Sequence, residues 1–340
     1  MYTVKILPSG LSFSVSENET VLQAALRQGF KFPYACDNGA CYACEGKLIA
    51  GKIKFRNSGQ IISTPETEGE SKFITTLFCM AVPQTDLVIE VKKLLAPNEM
   101  PLRKAACQIK SVTPLGRDVK IVKLLLPAGK KFDYLPGQYL EVTLPKNGKC
   151  AFSIANASGG REIELHIRHL ADGASSDELD DWLQNESILK VELPKGDCIL
   201  KPANENTLIF LAGSTGFAPF KAMLEYAFNT GRKQKMVLYW GGRSVDDIYL
   251  HKLLQEWDKK HSHFNYIPVI SEPDTQTQWS GRTGLVHLAV LEDFNNLSQG
   301  IEVYAGGSPG MVYAALDAFK EKGLPEGHMY SDIFTYAPRE

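Results

Sequence analysis

The stretch 36-CDNGACYAC-44 decides what the first part of this chain folds around. It places Cys36, Cys41 and Cys44 at Cys-x4-Cys-x2-Cys spacing, while a fourth cysteine, Cys79, stands apart in 77-LFCMA-81. Three thiolates on one loop and a fourth from a distant segment are the ligand pattern of a [2Fe–2S] cluster. Asn38, Gly39 and Ala40 let such a loop wrap tightly and turn backbone N–H groups toward the sulfurs; bulky side chains would hold the backbone off. Cys79 would close the shell from the opposite side. A structural zinc site is the alternative, but four-cysteine zinc sites usually pair two close Cys-x2-Cys knuckles. Inert buried cysteines are the remaining reading.

Composition bounds the rest. The 340 residues suffice for two or three domains, and 44% hydrophobic with 22% charged residues is an ordinary globular balance. Lysine plus arginine number 37 against 39 acids, a net charge of −2. No basic field exists to draw in nucleic acid as the main partner. The N-terminal MYTVKILPSGLSFSVSENET alternates apolar and polar residues as a hairpin does, without a signal-peptide core. No apolar run reaches the roughly 18 residues of a membrane span. A cytoplasmic location is therefore expected, where the seven cysteines stay reduced. Cys107, Cys150 and Cys198 sit singly on apolar segments and read as packing residues.

Periodicity divides the chain into three textures. Residues 1–92 read as hairpin, helix (20-TVLQAALRQG-29, capped by Thr20 and stopped by Gly29), cysteine loop and short strands. A linker is expected at 93–101. Residues 102–202 hold strand-like runs, DVKIVKLLL, GQYLEVTL, CAFSIAN, EIELHIRHL and ILKVEL, interrupted by one helical segment, 175–183. That spacing predicts a small antiparallel barrel. In residues 203–340 the strands LIFLAG, MVLYWGG, YIPVIS and VYAGG alternate with helical patterns at 218–228, 246–259, 284–292 and 309–322. Such alternation predicts a parallel sheet covered by helices on both faces.

The first segment resembles the plant-type ferredoxin domain, whose fold is a β-grasp (α+β), with Tyr42 where that family carries Gly or Ser. Tyr42 reads either as a surface residue of the loop or as a ring partly covering the cluster. In the middle region 136-PGQYLEV-142, 150-CAFSIAN-156, 164-ELHIRHL-170 and 173-GASS-176 resemble the ferredoxin–NADP reductase superfamily. That resemblance implies a flavin-binding barrel, with Phe152 against the isoalloxazine ring and Ser153 near its N5. Ile154, Ala155, Asn156, His166, Ile167 and Arg168 are further flavin-binding candidates; His166 and Arg168, two apart on one strand face, read either as flavin-facing or as a solvated barrel face. Gly173, Ala174, Ser175 and Ser176 would set a helix N-terminus at the flavin phosphate. The arginine of the superfamily signature is absent: Cys150 occupies its place, and Lys149 or Arg168 are the candidate substitutes.

The segment 212-AGSTGFAPF-220 follows a strand and opens a helix, so Gly213, Ser214, Thr215 and Gly216 can admit phosphates close to the backbone. In 304-YAGGSPGM-311 the resemblance implies a nicotinamide site lined by Gly306, Ser308, Pro309 and Met311, with Ala305 in place of that family's cysteine. Phe334 in 330-YSDIFTY-336 is the aromatic expected on the flavin's other face, with core packing as the alternative. Arg243 lies where the adenine ribose is expected; Asp246 and Asp247 follow, leaving NADH against NADPH open.

Taken over the whole chain, the resemblance is to NAD(P)H-dependent iron–sulfur flavoprotein reductases, and AGSTGFAPFKAM, WSGRTGLVHLAVLED, YAGGSPGMV and YSDIFT look most like the CDP-6-deoxy-Δ3,4-glucoseen reductases. It implies electron transfer from NAD(P)H through a flavin (FAD, with FMN as the alternative) and the [2Fe–2S] cluster. The acceptor would be a partner protein, either a dehydrase or an oxygenase component. A nonenzymatic ferredoxin-like carrier with a decayed flavin site is the alternative from another class.

Overall fold

The computed structural model describes residues 1–34, 36–64, 73–91, 94–96, 100–129, 132–146, 148–169, 173–273 and 279–339. It divides the chain into two compact units, Met1–Pro101 and Leu102–Glu340. The expected linker at 93–101 and the last residue of the run 162–170 lie partly outside the described residues.

The first unit opens with the hairpin β1 (Tyr2–Leu7) and β2 (Ser12–Val15), whose alternation sends Val4, Ile6, Phe13 and Val15 inward. Helix α1 (Val21–Arg27) starts at Thr20 with a reciprocal cap: Gln23 N–H donates to Thr20 Oγ1 (3.2 Å) and Thr20 N–H to Gln23 Oε1 (3.1 Å). Strands β3 (Glu45–Ala50), β4 (Lys52–Phe55), β5 (Ile61–Ser63), β6 (Ile74–Leu77), β7 (Ala81–Pro83) and β8 (Leu87–Glu90) complete it. The main sheet runs β2-β1-β8-β3-β6, with β1 and β8 parallel, and β5-β4-β7 form a second small sheet. One helix packed into the core of a mixed sheet is the expected α+β ferredoxin fold.

In the second unit, β9 (Arg103–Leu115), β10 (Val119–Leu125), β11 (Tyr139–Leu144), β12 (Gly148–Ser153), β13 (Glu162–Arg168) and β14 (Ile188–Lys195) form an antiparallel sheet, with α2 (Ala174–Asn185) between the last two. Its order is β12-β11-β14-β9-β10-β13, and an Ile154–Leu165 bridge joins the two outer strands, curling the sheet into a barrel. Inward residues such as Val122, Leu140, Val142, Leu165 and Ile167 fill it. The long β9 was not legible in the sequence, because RKAACQIKSVTPL is mostly exposed and shows no sustained apolar alternation.

A parallel sheet follows: β15 (Thr207–Gly213), α3 (Ala218–Asn229), β16 (Met236–Gly242), α4 (His251–Lys260), β17 (Phe264–Ile270), β18 (Arg282–Thr283), α5 (Val286–Asp293), β19 (Ile301–Gly306), α6 (Pro309–Glu321), β20 (Met329–Tyr330) and α7 (Ile333–Tyr336). The order is β18-β17-β16-β15-β19-β20. Alternate residues of β15 enter two cores: Ile209 and Leu211 one, Leu208, Phe210 and Ala212 the other. Both faces are therefore covered, as the apolar runs predict. The helical pattern at 246–259 divides: Val245–Asp247 form a short 3₁₀ turn, and α4 begins at His251.

Candidate active site

The cysteine loop brings its thiols together as two pairs. Cys36 and Cys41 Sγ atoms lie 3.1 Å apart, and the Cys79 N–H points at Cys44 Sγ at 3.5 Å, with the two thiols themselves in contact. Cys36 and Cys41 are accessible; Cys44 and Cys79 are buried. The neighbouring Cys41 thiol and the amides of Asn38, Cys41 and Ala40 pull the Cys36 thiol down to about 7. Burial and the Cys44 thiol push Cys79 up to about 11, while the Gly39 amide faces its sulfur. Gly39 has φ +83°, and a Cβ there would press on Met80 Cγ at 3.2 Å. Two thiol pairs with amides turned toward sulfur suit two irons with two thiolates each. Tyr42 adopts φ 56° and is 65% exposed beside them.

A connected cleft runs over the carboxyl ends of the parallel strands in the second unit. One cavity of 380 Å³ is lined by Phe152 and Ser153 from the end of β12, His166 and Arg168 from β13, the loop Gly213–Gly216, and Gly306–Pro309. A second, of 580 Å³, extends past Arg243, Asp247, His287 and Met311. A third, of 350 Å³, is lined by Arg117, Arg168, Arg243, Asp246, Asp247 and Glu272. Arg168 borders all three. Its Nε donates to Asp118 (2.7 Å), its Nη1 to Ser214 Oγ (3.1 Å), and its Nη2 lies 3.7 Å from Asp247.

The two glycine loops touch through their backbones. A Cβ on Gly216 would run into the Gly306 carbonyl, and one on Gly213 into Met311 Sδ. Ser214 sits at φ 48°, an uncommon conformation for a non-glycine residue. Trp240 Nε1 holds it there by donating to the Ser214 carbonyl at 3.0 Å, with the indole stacked on Phe217 at 4.3 Å. Ser308 caps α6 by accepting from the Met311 N–H (3.3 Å), with Pro309 in its first turn.

Behind the cleft lies a buried polar network. His166 Nε2 is 3.0 Å from Glu164 Oε1, and its Nδ1 is 2.8 Å from Tyr249 Oη. A carboxylate only accepts, so Nε2 carries the proton, and Tyr249 donates to Nδ1. Burial lowers the His166 pKa and keeps the ring neutral. Lys221 Nζ reaches Glu164 (3.1 Å), Glu225 (2.6 Å) and the Ala155 carbonyl (3.3 Å). Burial would raise the Glu164 carboxyl, but His166 and Lys221 outweigh it and hold the group at about 2.

Of the residues expected at the flavin, His166 and Arg168 line the cavity with Phe152 and Ser153, while others are engaged in packing or hydrogen bonds. His166 spends both ring nitrogens on the network. Ile154, Ala155 and Ile167 are buried in the barrel, and Asn156 ties strands together by accepting from Glu164 N–H (2.7 Å) and donating to the Glu162 carbonyl (2.9 Å). Gly173–Ser176 open α2, as expected, with Ser176 Oγ 3.3 Å from His169 Nδ1. Phe334 packs on Tyr313, ring centroids 5.7 Å apart, in a core of the parallel-sheet region. From its segment Ser331, Asp332, Ile333 and Tyr336 line the cavity instead. Asp332 and Cys198 escaped the sequence reading: one is an acid in a helical turn, the other a lone cysteine. Burial and the nearby Asp197 push the Asp332 carboxyl up to about 7.

A thiol-lined loop in the first unit, and a barrel and a parallel sheet that share one cleft in the second, define an electron-transfer reductase, an NAD(P)H-dependent iron–sulfur flavoprotein oxidoreductase. The comparisons agree: a 2Fe-2S iron-sulfur cluster binding domain matches residues 4–84, an oxidoreductase FAD-binding domain residues 106–199, and an oxidoreductase NAD-binding domain residues 210–317. The chain belongs to the family of iron–sulfur flavoprotein reductases that includes the CDP-6-deoxy-L-threo-D-glycero-4-hexulose-3-dehydrase reductase of Yersinia pestis. It is 34% identical to that protein over 97% of this chain and 98% of the relative. The phenol hydroxylase P5 protein of Acinetobacter pittii is 30% identical over 99% of this chain and 95% of its own length. In fold, an Amycolatopsis cytochrome P450 reductase superposes with TM-score 0.64 at 24% identity, covering 97% of this chain and 98% of that one. Among the described residues no helix is long and apolar enough to cross a membrane.

Proposed function

We propose that this chain takes electrons from NADH and delivers them through FAD and the cluster to a dehydrase of the kind served by the Yersinia relative. The observation that carries the reading is the shared cleft, in which the Phe152–Ser153 edge and both glycine loops line one cavity. Cys36, Cys41, Cys44 and Cys79 would hold the irons. Phe152 would lie against the flavin ring, with the Ser153 hydroxyl beside it. The Gly213–Gly216 backbone and the Arg168 guanidinium would hold the nucleotide's diphosphate. When bound, the flavin supplies the exchange between a two-electron donor and a one-electron acceptor. The chain's contribution is to position that exchange.

Asp247 supports NADH over NADPH. Its Oδ2 accepts the N–H groups of Arg243 and Ser244, both at 2.9 Å, which fixes a partly buried carboxylate in the cleft beyond β16. A carboxylate there suits a ribose 2′-hydroxyl and repels a 2′-phosphate. The functional divisions follow as 1–92 for the cluster, 102–202 for the flavin and 203–340 for the nucleotide, and the working location as the cytoplasm. An oxygenase component is the second acceptor, favoured by the likeness to the phenol hydroxylase protein.

The test is anaerobic reduction followed by absorbance. NADH should bleach both flavin and cluster in the wild type, and cytochrome c should then be reduced. Cys79→Ser should keep flavin bleaching and lose cytochrome c reduction. Equal cytochrome c reduction by the two proteins would refute the proposed route. Addition of purified dehydrase or oxygenase components then identifies the acceptor.

A further inference from the structure

The flavin reading above sets the N-terminus of α2 at the phosphate end of that ligand and leaves open which side-chain charge, if any, meets it. In β12 side chains alternate, so Cys150 and Phe152 share the face that packs on the barrel core, opposite Val142 and Leu140 of β11. Lys149 projects from the other face. Its ammonium lies 2.9 Å from Glu141 and 2.6 Å from Glu192, and Lys195 adds a second cation to those same two carboxylates. Lys149 shares its strand face with Ala151 and Ser153 rather than Cys150, and its charge is already paired with two carboxylates. Among the described residues lining the cavity with Phe152 and Ser153, Arg168 alone is an arginine or lysine. Its charge is matched by Asp118 at 2.7 Å, and its fork is directed at Ser214. A thiol at position 150 offers neither charge nor a bidentate donor.

We propose that flavin is an exchangeable ligand of this chain, recognised mainly through its ring, with no free side-chain charge on its phosphate. This rests on the flavin site read above. FMN and riboflavin differ only by the phosphate, so their comparison isolates its contribution. A charge-assisted hydrogen bond to that group would separate them by about 10–150-fold.

The experiment uses full-length protein, desalted and then titrated with riboflavin, FMN and FAD while flavin fluorescence is followed at low and high salt. The expected result is loss of flavin on desalting, with riboflavin and FMN binding within about tenfold of each other and little salt dependence. Cys150→Arg should then favour FMN over riboflavin by about 10–150-fold at low salt. If that variant does not fold, the wild-type comparison stands alone. Stoichiometric FAD that survives desalting, with riboflavin about a hundredfold weaker than FMN, would overturn exchangeability. Failure of all three flavins to bind would overturn the flavin site itself.

Discussion

Replacing Lys221 with methionine removes one charge from the buried network and little volume. Lys221 is 6% exposed, and its ammonium serves Glu164 at 3.1 Å and Glu225 at 2.6 Å. Removing one partner of a buried pair costs about 3–5 kcal/mol, because the other charge stays buried. Glu164 keeps His166 and Glu225 reaches solvent, so the lower end, about 3 kcal/mol, applies. A unit the size of Leu102–Glu340 loses about 2–4 °C per kcal/mol, so its Tm should fall by about 6–12 °C at pH 7. The pH dependence carries the sign. Glu164 is depressed from 4.5 to about 2, so its contribution is fully present above pH 4.5 and is lost as pH falls toward 2. That shift corresponds to about 3 kcal/mol, more than half of it gone by about pH 3. Thermal unfolding followed by tryptophan fluorescence should therefore show a large gap between wild type and Lys221→Met at pH 7 and a smaller one at pH 3. A gap under about 2 °C at pH 7, or one that does not narrow in acid, would refute the pairing argument.

Cys79→Ser should lower iron from about two per chain and remove the cluster's visible absorbance, which metal analysis and absorbance would check. Asp247→Asn keeps an oxygen for the Arg243 and Ser244 amides but loses the charge; the ratio of kcat/KM for NADH over NADPH should fall by about tenfold, and an unchanged ratio would exclude Asp247 as the discriminating group. Asp332, raised from 3.8 to about 7, is favoured neutral in the folded state, so its ionisation costs stability as pH rises through that interval. Asp332→Asn should accordingly gain Tm over wild type between pH 4 and pH 8, measured by the same unfolding assay.

How far the sequence reveals this molecule depends on which residues speak locally. Thr20 and Gly29 mark a helix because capping involves neighbours, and the cysteine spacing marks a cluster because three ligands share one loop. The strands of the parallel sheet are legible because burial on both faces makes them continuously apolar. Strand β9 is not, since its pairing with β10 and β14 rests on backbone bonds and tertiary context. The site fails in the same way. His166 and Arg168 are two residues apart and share a face, as alternation predicts, yet what each meets is set by Tyr249, Asp118 and Ser214, which lie 46–83 residues away. Phe334 has the composition expected of a flavin neighbour, but its ring packs on Tyr313 from α6, a partner that periodicity cannot name.

Strand β13 joins these findings. Its sequence EIELHIR sends Ile163, Leu165 and Ile167 into the barrel and leaves Glu162, Glu164, His166 and Arg168 on one outer row. That row passes from a solvent-facing cluster, Glu162 with Lys110 and Lys123, through the buried Glu164–His166–Lys221 group, to Arg168 at the meeting point of three cavities. Alternate residues on a strand lie roughly 7 Å apart on one rigid backbone. Lys221 of α3 therefore fixes the same strand that presents Arg168 to the Gly213–Gly216 loop at the start of that helix. The barrel and the nucleotide sheet are tied by this charge pair together with the His166–Tyr249 and Arg168–Ser214 hydrogen bonds. An apolar replacement of the Glu164–Lys221 pair could restore stability. It would not by itself restore the position of the Arg168 guanidinium, so stability and nucleotide KM should separate in the double variant Glu164→Leu with Lys221→Met.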